Sequence, residues 1–420
     1  MSRLRTFAGV VATAAVLSIL ACQTAPPACL ADNAGLTLAD GFCALIVADS
    51  VGTARHVTVA PNGDVVVALG RSRNPGGGFS EGGVLVLRDT DGDGVADVRN
   101  RFGGGAGDDV EFHGDYLYYS TNDAVMRYPW TPGAMEPDSD ADTIVSGLPA
   151  TRSHRSKSFA FGADGALYVN IGSPSNVCTG QEGQPDPCPQ LETRAGIWRF
   201  DAERTGQKQE DGSRFATGLR NTVALATRPQ DGRLYGVIHG RDQLGTWDPF
   251  DEEYNAENPA EEFVRIEAGD DLGWPYCYYN PEKKVKLLAP EYGGDGETQG
   301  RCAGAKTPLL GFPAHWAPNG LLFPSGTAFP AQYRGGAFIV FHGSWNRAPL
   351  PQAGYKMVYA HFDGDEPTGE WEVIADGFGG EEPGPRESPH RPVAVAEGPD
   401  GSLYVTDDRG GRIYRILYVG

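Results

Sequence analysis

One histidine stands where chemistry could happen. His154 lies in RSHRSKSFAFGADGALYVNIG, Arg152 to Gly172, just ahead of two apolar runs separated by GADG. An imidazole titrates close to neutral pH, so one held at the mouth of a sheet can take a proton with little tuning. A hydrogen-bonded loop histidine would leave the same trace in sequence, so the rest of the chain has to supply the context. Gly162 to Gly165 provides the positive-φ positions of a reversing turn between alternating apolar runs. The stretch is therefore predicted to be a loop entering a β-hairpin.

A second chemical candidate is DTDGDGVAD, Asp89 to Asp97. Asp89, Asp91 and Asp93 alternate, Gly94 permits a sharp turn and Asp97 closes the run, a pattern able to surround a hard cation such as calcium with oxygens. Asn100 stands where an EF-hand loop has its bidentate glutamate, so a solvated acidic turn is the competing reading. The one G-x-S-x-G match, Gly78 to Gly82, lies in a glycine-rich turn rather than between a strand and a helix, so it is not a nucleophile elbow and a serine hydrolase is not expected. Neither zinc-type Cys/His spacing nor the CxxCH of an attached haem occurs.

The elements that must position these residues repeat along the chain. Strand-turn-strand units recur around Gly63, Gly114, Gly165, Gly232, Gly335 and Gly401. Their spacing begins at roughly 50 residues, the size of a propeller blade, and then widens. The expectation is an all-β, six-bladed β-propeller with loop insertions at Arg241 to Gly273 and Cys277 to Phe323, where functional loops would gather. Gly41 to Asp49 and Gly411 to Val419, apolar and at opposite ends, would pair to close the ring. The 58 glycines and 31 prolines in 420 residues suit such a turn-rich fold.

The net charge of −20 repels a polyphosphate backbone, so nucleic acid is not an expected partner. Arg3 and Arg5 precede an apolar run, Thr6 to Ala21, that is too short to span a bilayer comfortably. Residues 1–22 read as a signal peptide. ILAC, Ile19 to Cys22, resembles a bacterial lipobox, which implies cleavage before Cys22 and a lipid on that cysteine; a plainly secreted protein is the alternative. Residues 23–37 would be a linker and 38–420 the propeller. The protein is then exported, periplasmic or anchored in the outer membrane by its N-terminal lipid only. Six further cysteines suit an oxidising compartment, and sequence proximity pairs Cys29 with Cys43, Cys178 with Cys188 and Cys277 with Cys302.

GLRN (Gly218 to Asn221), DLGWPYCYY (Asp271 to Tyr279), HGSWNR (His342 to Arg347) and RPVAVAEGPDGSLYVTDD (Arg391 to Asp408) together resemble the glucose/sorbosone dehydrogenase family. That resemblance covers Leu38 to the C-terminus and implies a secreted six-bladed propeller that uses pyrroloquinoline quinone (PQQ) and calcium to oxidise sugars. It implies that His154 removes the anomeric hydroxyl proton while hydride passes to quinone C5, and that Arg220 and Asn221 face the quinone oxygens. It implies that the carbonyls of Gly240 and Arg241, in HGRD, hold calcium on PQQ and that Arg391 pairs with a PQQ carboxylate. Ser153 replaces the aspartate of sugar-oxidising members, and Gly104 to Asp115 lacks their sugar-contacting glutamine. Their PQQ-pairing lysine has no direct counterpart, with Arg347 or Lys356 as its replacement. The aromatics of GWPYCYY and HGSWN could wall a flat quinone or sugar, or could be core.

The function implied is a PQQ- and calcium-dependent dehydrogenase for an aldose or sugar aldehyde, passing electrons to a separate acceptor. Two other readings belong to different classes. One is a calcium-dependent propeller lactonase or esterase with an axial metal held by side chains. The other is a non-catalytic, lipid-anchored sugar-binding propeller.

Overall fold

The computed structural model describes Met1 and residues 28–73, 79–178, 184–327 and 329–420. The signal peptide and lipid-bearing Cys22 expected from the sequence lie outside the described residues.

Six antiparallel sheets, five of four strands and one of five, ring a central axis. Taken from the axis outward, blade 1 is Ala54–Val59, Val65–Leu69, Gly83–Arg88 and Val98–Phe102. Blade 2 is Gly107–His113, Tyr116–Thr121, Ala124–Pro129 and Asp142–Ser146, and blade 3 is Phe159–Phe161, Ala166–Ile171, Gly196–Asp201 and Ser213–Thr217. Blade 4 is Ala224–Thr227, Leu234–Ile238, Glu261–Ile266 and Leu310–Phe312, and blade 5 is Pro318–Leu322, Ala337–Phe341, Lys356–Asp363 and Glu366–Asp376. Blade 6 takes Pro392–Glu397, Leu403–Asp407 and Ile413–Tyr418 from the C-terminus and completes itself with Phe42–Ala48. Phe42 pairs with Tyr418 and Ala48 with Ile413, so the chain ends close the ring as the sequence predicted. The closing strand Phe42–Ala48 becomes the outer strand of blade 6 and ties the start of the propeller to its end.

The six repeated glycines all sit at one structural position, the turn from the innermost strand of a blade to the next, and all have positive φ. That periodicity sorts the two faces of the molecule. The turn face carries the six connections from innermost to second strand, short in most blades and 14 residues long in blade 5. The opposite face is built from the starts of the innermost strands and the ends of the second strands, and it holds the residues with chemistry.

Between blades the core is dense and aromatic. Tyr118, Tyr235, Phe338, Tyr359 and Tyr414 have no solvent exposure, which fits the large apolar area that stacked sheets must bury. The predicted insertions flank and include the blade 4 strands Glu261–Ile266 and Leu310–Phe312, and the second runs on through the innermost strand of blade 5. They contain the short helix Glu252–Glu257 and the hairpin Cys277–Asn280 with Val285–Leu288. Among the described residues no helix is long and apolar enough to cross a membrane. The three disulfides join the cysteines that sequence proximity paired.

Residues 28–37, read as linker from the sequence, are docked. Leu36 is buried, Thr37 pairs with Asp376 as a fifth strand on blade 5, and Cys29 is bonded to Cys43. Strand addition at the outer edge of blade 5 and the Cys29–Cys43 disulfide hold the segment there.

Candidate active site

The face opposite the tight turns opens into a cavity of about 560 Å³ on the propeller axis. His154 enters it from the loop before blade 3, in a left-handed conformation with φ 46°. Its Nδ1 lies 2.8 Å from the Ser173 carbonyl and 3.0 Å from the Ser173 hydroxyl. A carbonyl can only accept, so Nδ1 carries the proton and Nε2 keeps its lone pair. No described residue bonds Nε2, which is the geometry of a proton acceptor facing a ligand. Burial, with help from the nearby Arg220 charge, pulls the His154 pKa down to about 3, so the ring is neutral near pH 7.

Buried polar groups fix that loop from beneath. Asp108 accepts from the Ser156 hydroxyl at 3.2 Å and the Lys157 N–H at 3.3 Å. The Asn170 amide donates to the Ser156 carbonyl at 3.2 Å and accepts from the Thr222 N–H at 3.1 Å. One side chain thus ties the His154 loop to the segment that carries Arg220 and Asn221.

Arg220 is held on three sides. It donates to the Gly240 carbonyl at 2.8 Å, to Asn176 Oδ1 at 3.0 Å and to Asp242 at 2.8 Å. Asp242 in turn takes a bond from Asn346 at 2.7 Å. Asp242 is half-buried; desolvation raises its pKa, but the Arg220 charge leads the influences that leave it below the usual carboxylate value. Arg391 donates to the carbonyls of His342 and Gly343 at 3.2 and 2.7 Å. Asn221 lines the same cavity. The motifs His154, Arg220, Asn221 and Arg391, scattered over the sequence, therefore converge.

Other expected residues do not. Arg347 donates to the carbonyls of Ala256 and Ala314, both at 2.8 Å, and does not line the cavity. It ties insertion loops together because three unpaired carbonyls surround it. Lys356 is likewise spent on Asp376 at 2.7 Å. Gly240, expected to offer calcium its carbonyl, gives that oxygen to a guanidinium, and a cation is disfavoured beside it. The Arg241 guanidinium pairs with Glu291, while its carbonyl accepts no hydrogen bond from the described residues. Asp89, Asp91 and Asp93 do gather within 4.8 Å, far from the cavity lining, but Asp97 turns away to accept from the Thr90 N–H and hydroxyl. Among the described residues that aspartate trio is the only close group of three carboxylate or imidazole donors.

Sequence reasoning missed Arg55, which reaches the cavity while paired with Asp408 at 2.9 Å. It also missed His342, whose Nε2–H donates to Asp408 at 2.8 Å. Buried Glu261, which accepts from the N–H groups of Gly240 and Ala317, has its pKa raised to about 7 by desolvation. The aromatics divide. Trp345 is exposed on the cavity wall, whereas Trp274 packs on the Cys178–Cys188 disulfide and donates to the Asn176 carbonyl at 2.8 Å.

A family model described as TrAA12-like matches residues 36–418. The chain belongs to the TrAA12-like family. That assignment bears out the resemblance read from the motifs. It is 26% identical over 362 residues to a pyrroloquinoline quinone-dependent pyranose dehydrogenase of Coprinopsis cinerea, spanning 74% of this chain and 46% of that protein. It is 30% identical over 213 residues to an uncharacterized protein of Borreliella burgdorferi, 48% of each chain. The chain thus spans about half the length of the curated relatives it matches. In fold it resembles a Trichoderma reesei carbohydrate-active enzyme of family AA12, at TM-score 0.75 and 19% identity over 91% of this chain and 98% of that one. It also resembles the holo PQQ domain of the Coprinopsis cinerea pyranose dehydrogenase, at TM-score 0.73 and 21% identity over 91% of this chain and 97% of that one.

Proposed function

We propose that the protein is a PQQ-dependent dehydrogenase acting on an aldose or sugar aldehyde. One observation carries the reading: in a chain of net charge −20, five arginines, Arg55, Arg152, Arg155, Arg220 and Arg391, line a single cavity. PQQ is a planar tricarboxylate, and guanidinium groups pair with carboxylates in a two-pronged fashion that lysine does not reproduce. Arg55, Arg220 and Arg391 are tethered by protein acceptors, so they need little reorganisation to receive an anion.

When bound, PQQ supplies an electrophilic quinone that takes a hydride. The chain's own residues do the rest. Arg220, fixed by Asp242, places positive charge beside the growing negative charge. Neutral His154 presents Nε2 to the substrate hydroxyl and holds its proton, with Ser173 fixing the ring's orientation. Trp345 offers an exposed aromatic face against which a sugar or a flat ring can lie.

Calcium belongs to this reading, with the Arg241 carbonyl as the ligand left beside the cavity and the Asp89 loop as a separate structural site. A separate electron acceptor completes turnover. Export, with a lipid on Cys22 as the only membrane attachment, is proposed with it and is tested by mass spectrometry of the mature N-terminus.

The deciding experiment adds PQQ and calcium to the purified protein and follows reduction of an artificial acceptor across an aldose panel. Aldose-dependent dye reduction that requires PQQ supports the proposal. No reduction and no PQQ binding would move the weight to a lactonase or to a binding propeller.

A further inference from the structure

One short loop holds both the base and the central cation of the cavity. Residues 173–178 follow the second strand of blade 3 and reach His154 and Arg220 at once. The Ser173 N–H donates to the Arg220 main-chain carbonyl at 2.8 Å, while the Ser173 carbonyl accepts from His154 Nδ1. Three residues later, Asn176 takes the other end of Arg220. Its main-chain carbonyl accepts from Nε at 3.3 Å, and its Oδ1 accepts from Nη2 at 3.0 Å. The loop therefore grips Arg220 by backbone and guanidinium together, and the same Ser173 orients the base.

The Asn176 amide closes this grip. Its Oδ1 also accepts from the Asp242 N–H at 2.9 Å, and its Nδ2 donates to the Asp242 carbonyl at 2.8 Å. An amide that faces both the N–H and the C=O of one residue has its oxygen and nitrogen assigned by that pair, since each contact works in one orientation only. Asn176 does not line the cavity, so it can act only through the groups it holds.

The loop is braced from outside as well. Trp274 Nε1 donates to the Asn176 carbonyl at 2.8 Å, the Trp274 N–H donates to the Gly218 carbonyl at 3.1 Å, and the ring packs on the Cys178–Cys188 disulfide. Gly218 stands two residues before Arg220. The contacts thus run in a closed circuit from the loop to GLRN, on to Trp274 and back to the loop. The Asp242 carboxylate, by contrast, pairs with Arg220 and Asn346 and makes no hydrogen bond to the loop, so it holds the cation without holding the base.

We propose that Asn176 is a positioning residue of this site: by locking the 173–178 loop to residue 242, it sets the Arg220 guanidinium and, through Ser173, the His154 ring. The role rests on the dehydrogenase reading, because it matters for turnover only if Arg220 meets an anion and His154 a substrate proton. An arginine that must find its rotamer when the anion arrives loses side-chain freedom at that moment, whereas one already fixed does not. Base and cation hang on one loop, so a change at Asn176 is felt by both.

The test reads side-chain ¹H–¹⁵N signals of the full chain without PQQ. In Asn176→Ala the Arg220 Nε–H, identified by its loss in Arg220→Lys, should exchange with water about tenfold faster or more, since its acceptor carbonyl is no longer held in place. The His154 ring nitrogens should lose the shift pattern of a single Nδ1–H tautomer. The Arg228 Nε–H, which donates to the Gly335 carbonyl at 3.2 Å in the blade 4 turn, should not respond, and this separates positioning from general loosening. Asn176→Asp keeps the shape and Oδ1 but sets an acceptor against the Asp242 carbonyl, so it breaks the same link if the alanine variant folds poorly. It should move the same two signals. An absorbance titration should then show PQQ affinity about tenfold weaker in both variants. Arg220 and His154 signals that stay in place or move only together with that of Arg228, an Arg220 change that leaves His154 untouched, or PQQ affinity equal to that of the unaltered protein would overturn the assignment. The side-chain signals are read without PQQ, so failure here is distinguishable from failure of the dehydrogenase reading, which an absence of PQQ binding to the unaltered protein would show.

Discussion

Two cavities share the propeller axis and oppose each other in charge. The one on the loop face gathers five guanidinium groups, while the one nearer the turns has three carboxylates and neither lysine nor arginine. Blades 1, 3, 4, 5 and 6 contribute to both linings, so the fold does not dictate the difference. Position along each strand does. The strand beginnings and the residues just before them supply Arg55, His154, Arg220 and Arg391, and the later positions supply Glu111 and Glu397. A propeller axis can thus hold two chemically opposite cavities a few residues apart, with the net acidic chain making the cationic one a local exception.

The largest effect that would sharpen this contrast is expected at His154. His154→Ala should lower turnover by about 10²–10⁴-fold while PQQ stays bound, as read by dye reduction beside an absorbance titration. An unchanged rate would remove the base from the cationic site. Next, Arg220→Ala should weaken PQQ binding and also destabilise the fold by about 3 kcal/mol or more, because Asp242 loses its buried partner. Denaturant melts of the protein without PQQ separate the two losses.

A smaller and differently signed effect belongs to the acidic chamber. Burial and the Asp109 charge give Glu111 a native pKa of about 8 against an ordinary 4.5. Between those values the unfolded carboxyl loses its proton first, so the wild type loses stability as pH rises through this window. Glu111→Gln should abolish that loss, seen as a flatter dependence of the urea midpoint on pH. For His154 the sign is opposite: its native pKa of about 3 lies below 6.5. Stability falls as pH drops from 6.5 toward 3, since the unfolded imidazole takes the proton first. Imidazole ¹⁵N shifts should report a neutral His154 at pH 5. The smallest effect is Arg347→Gln, which should cost about 2 kcal/mol from lost charged hydrogen bonds. PQQ affinity should not change, because its guanidinium faces carbonyls outside the cavity.

The ring was legible because its construction is periodic. Six glycine turns mark one strand junction each, and two apolar ends had to find one another. His154, Arg220, Asn221 and Arg391 were legible through motifs that sit at the starts of innermost strands. Arg55 occupies that same place in ARHVTV but looks there like an ordinary polar residue of a strand. Its register relative to the Gly63 turn was the signal that could have found it. Gly240 misled because a main-chain carbonyl has no side-chain signature, and only the structure shows Arg220 in front of it. Arg347 misled because its neighbour Trp345 does reach the cavity while Arg347 itself points back into the insertions. The acidic chamber was invisible, since its lining residues Glu111 and His56 lie in separate blades and neither belongs to a spaced motif.

The central claim is that the arginine cavity is an anion receptor for PQQ. The measurement that tests it most directly is an equilibrium absorbance titration of PQQ into the purified protein, repeated at increasing salt and with Arg391→Gln. The account predicts saturable binding of one PQQ per chain that weakens with salt and by about tenfold or more when Arg391 is replaced. Saturable binding indifferent to both salt and Arg391, or no binding at all, would contradict it.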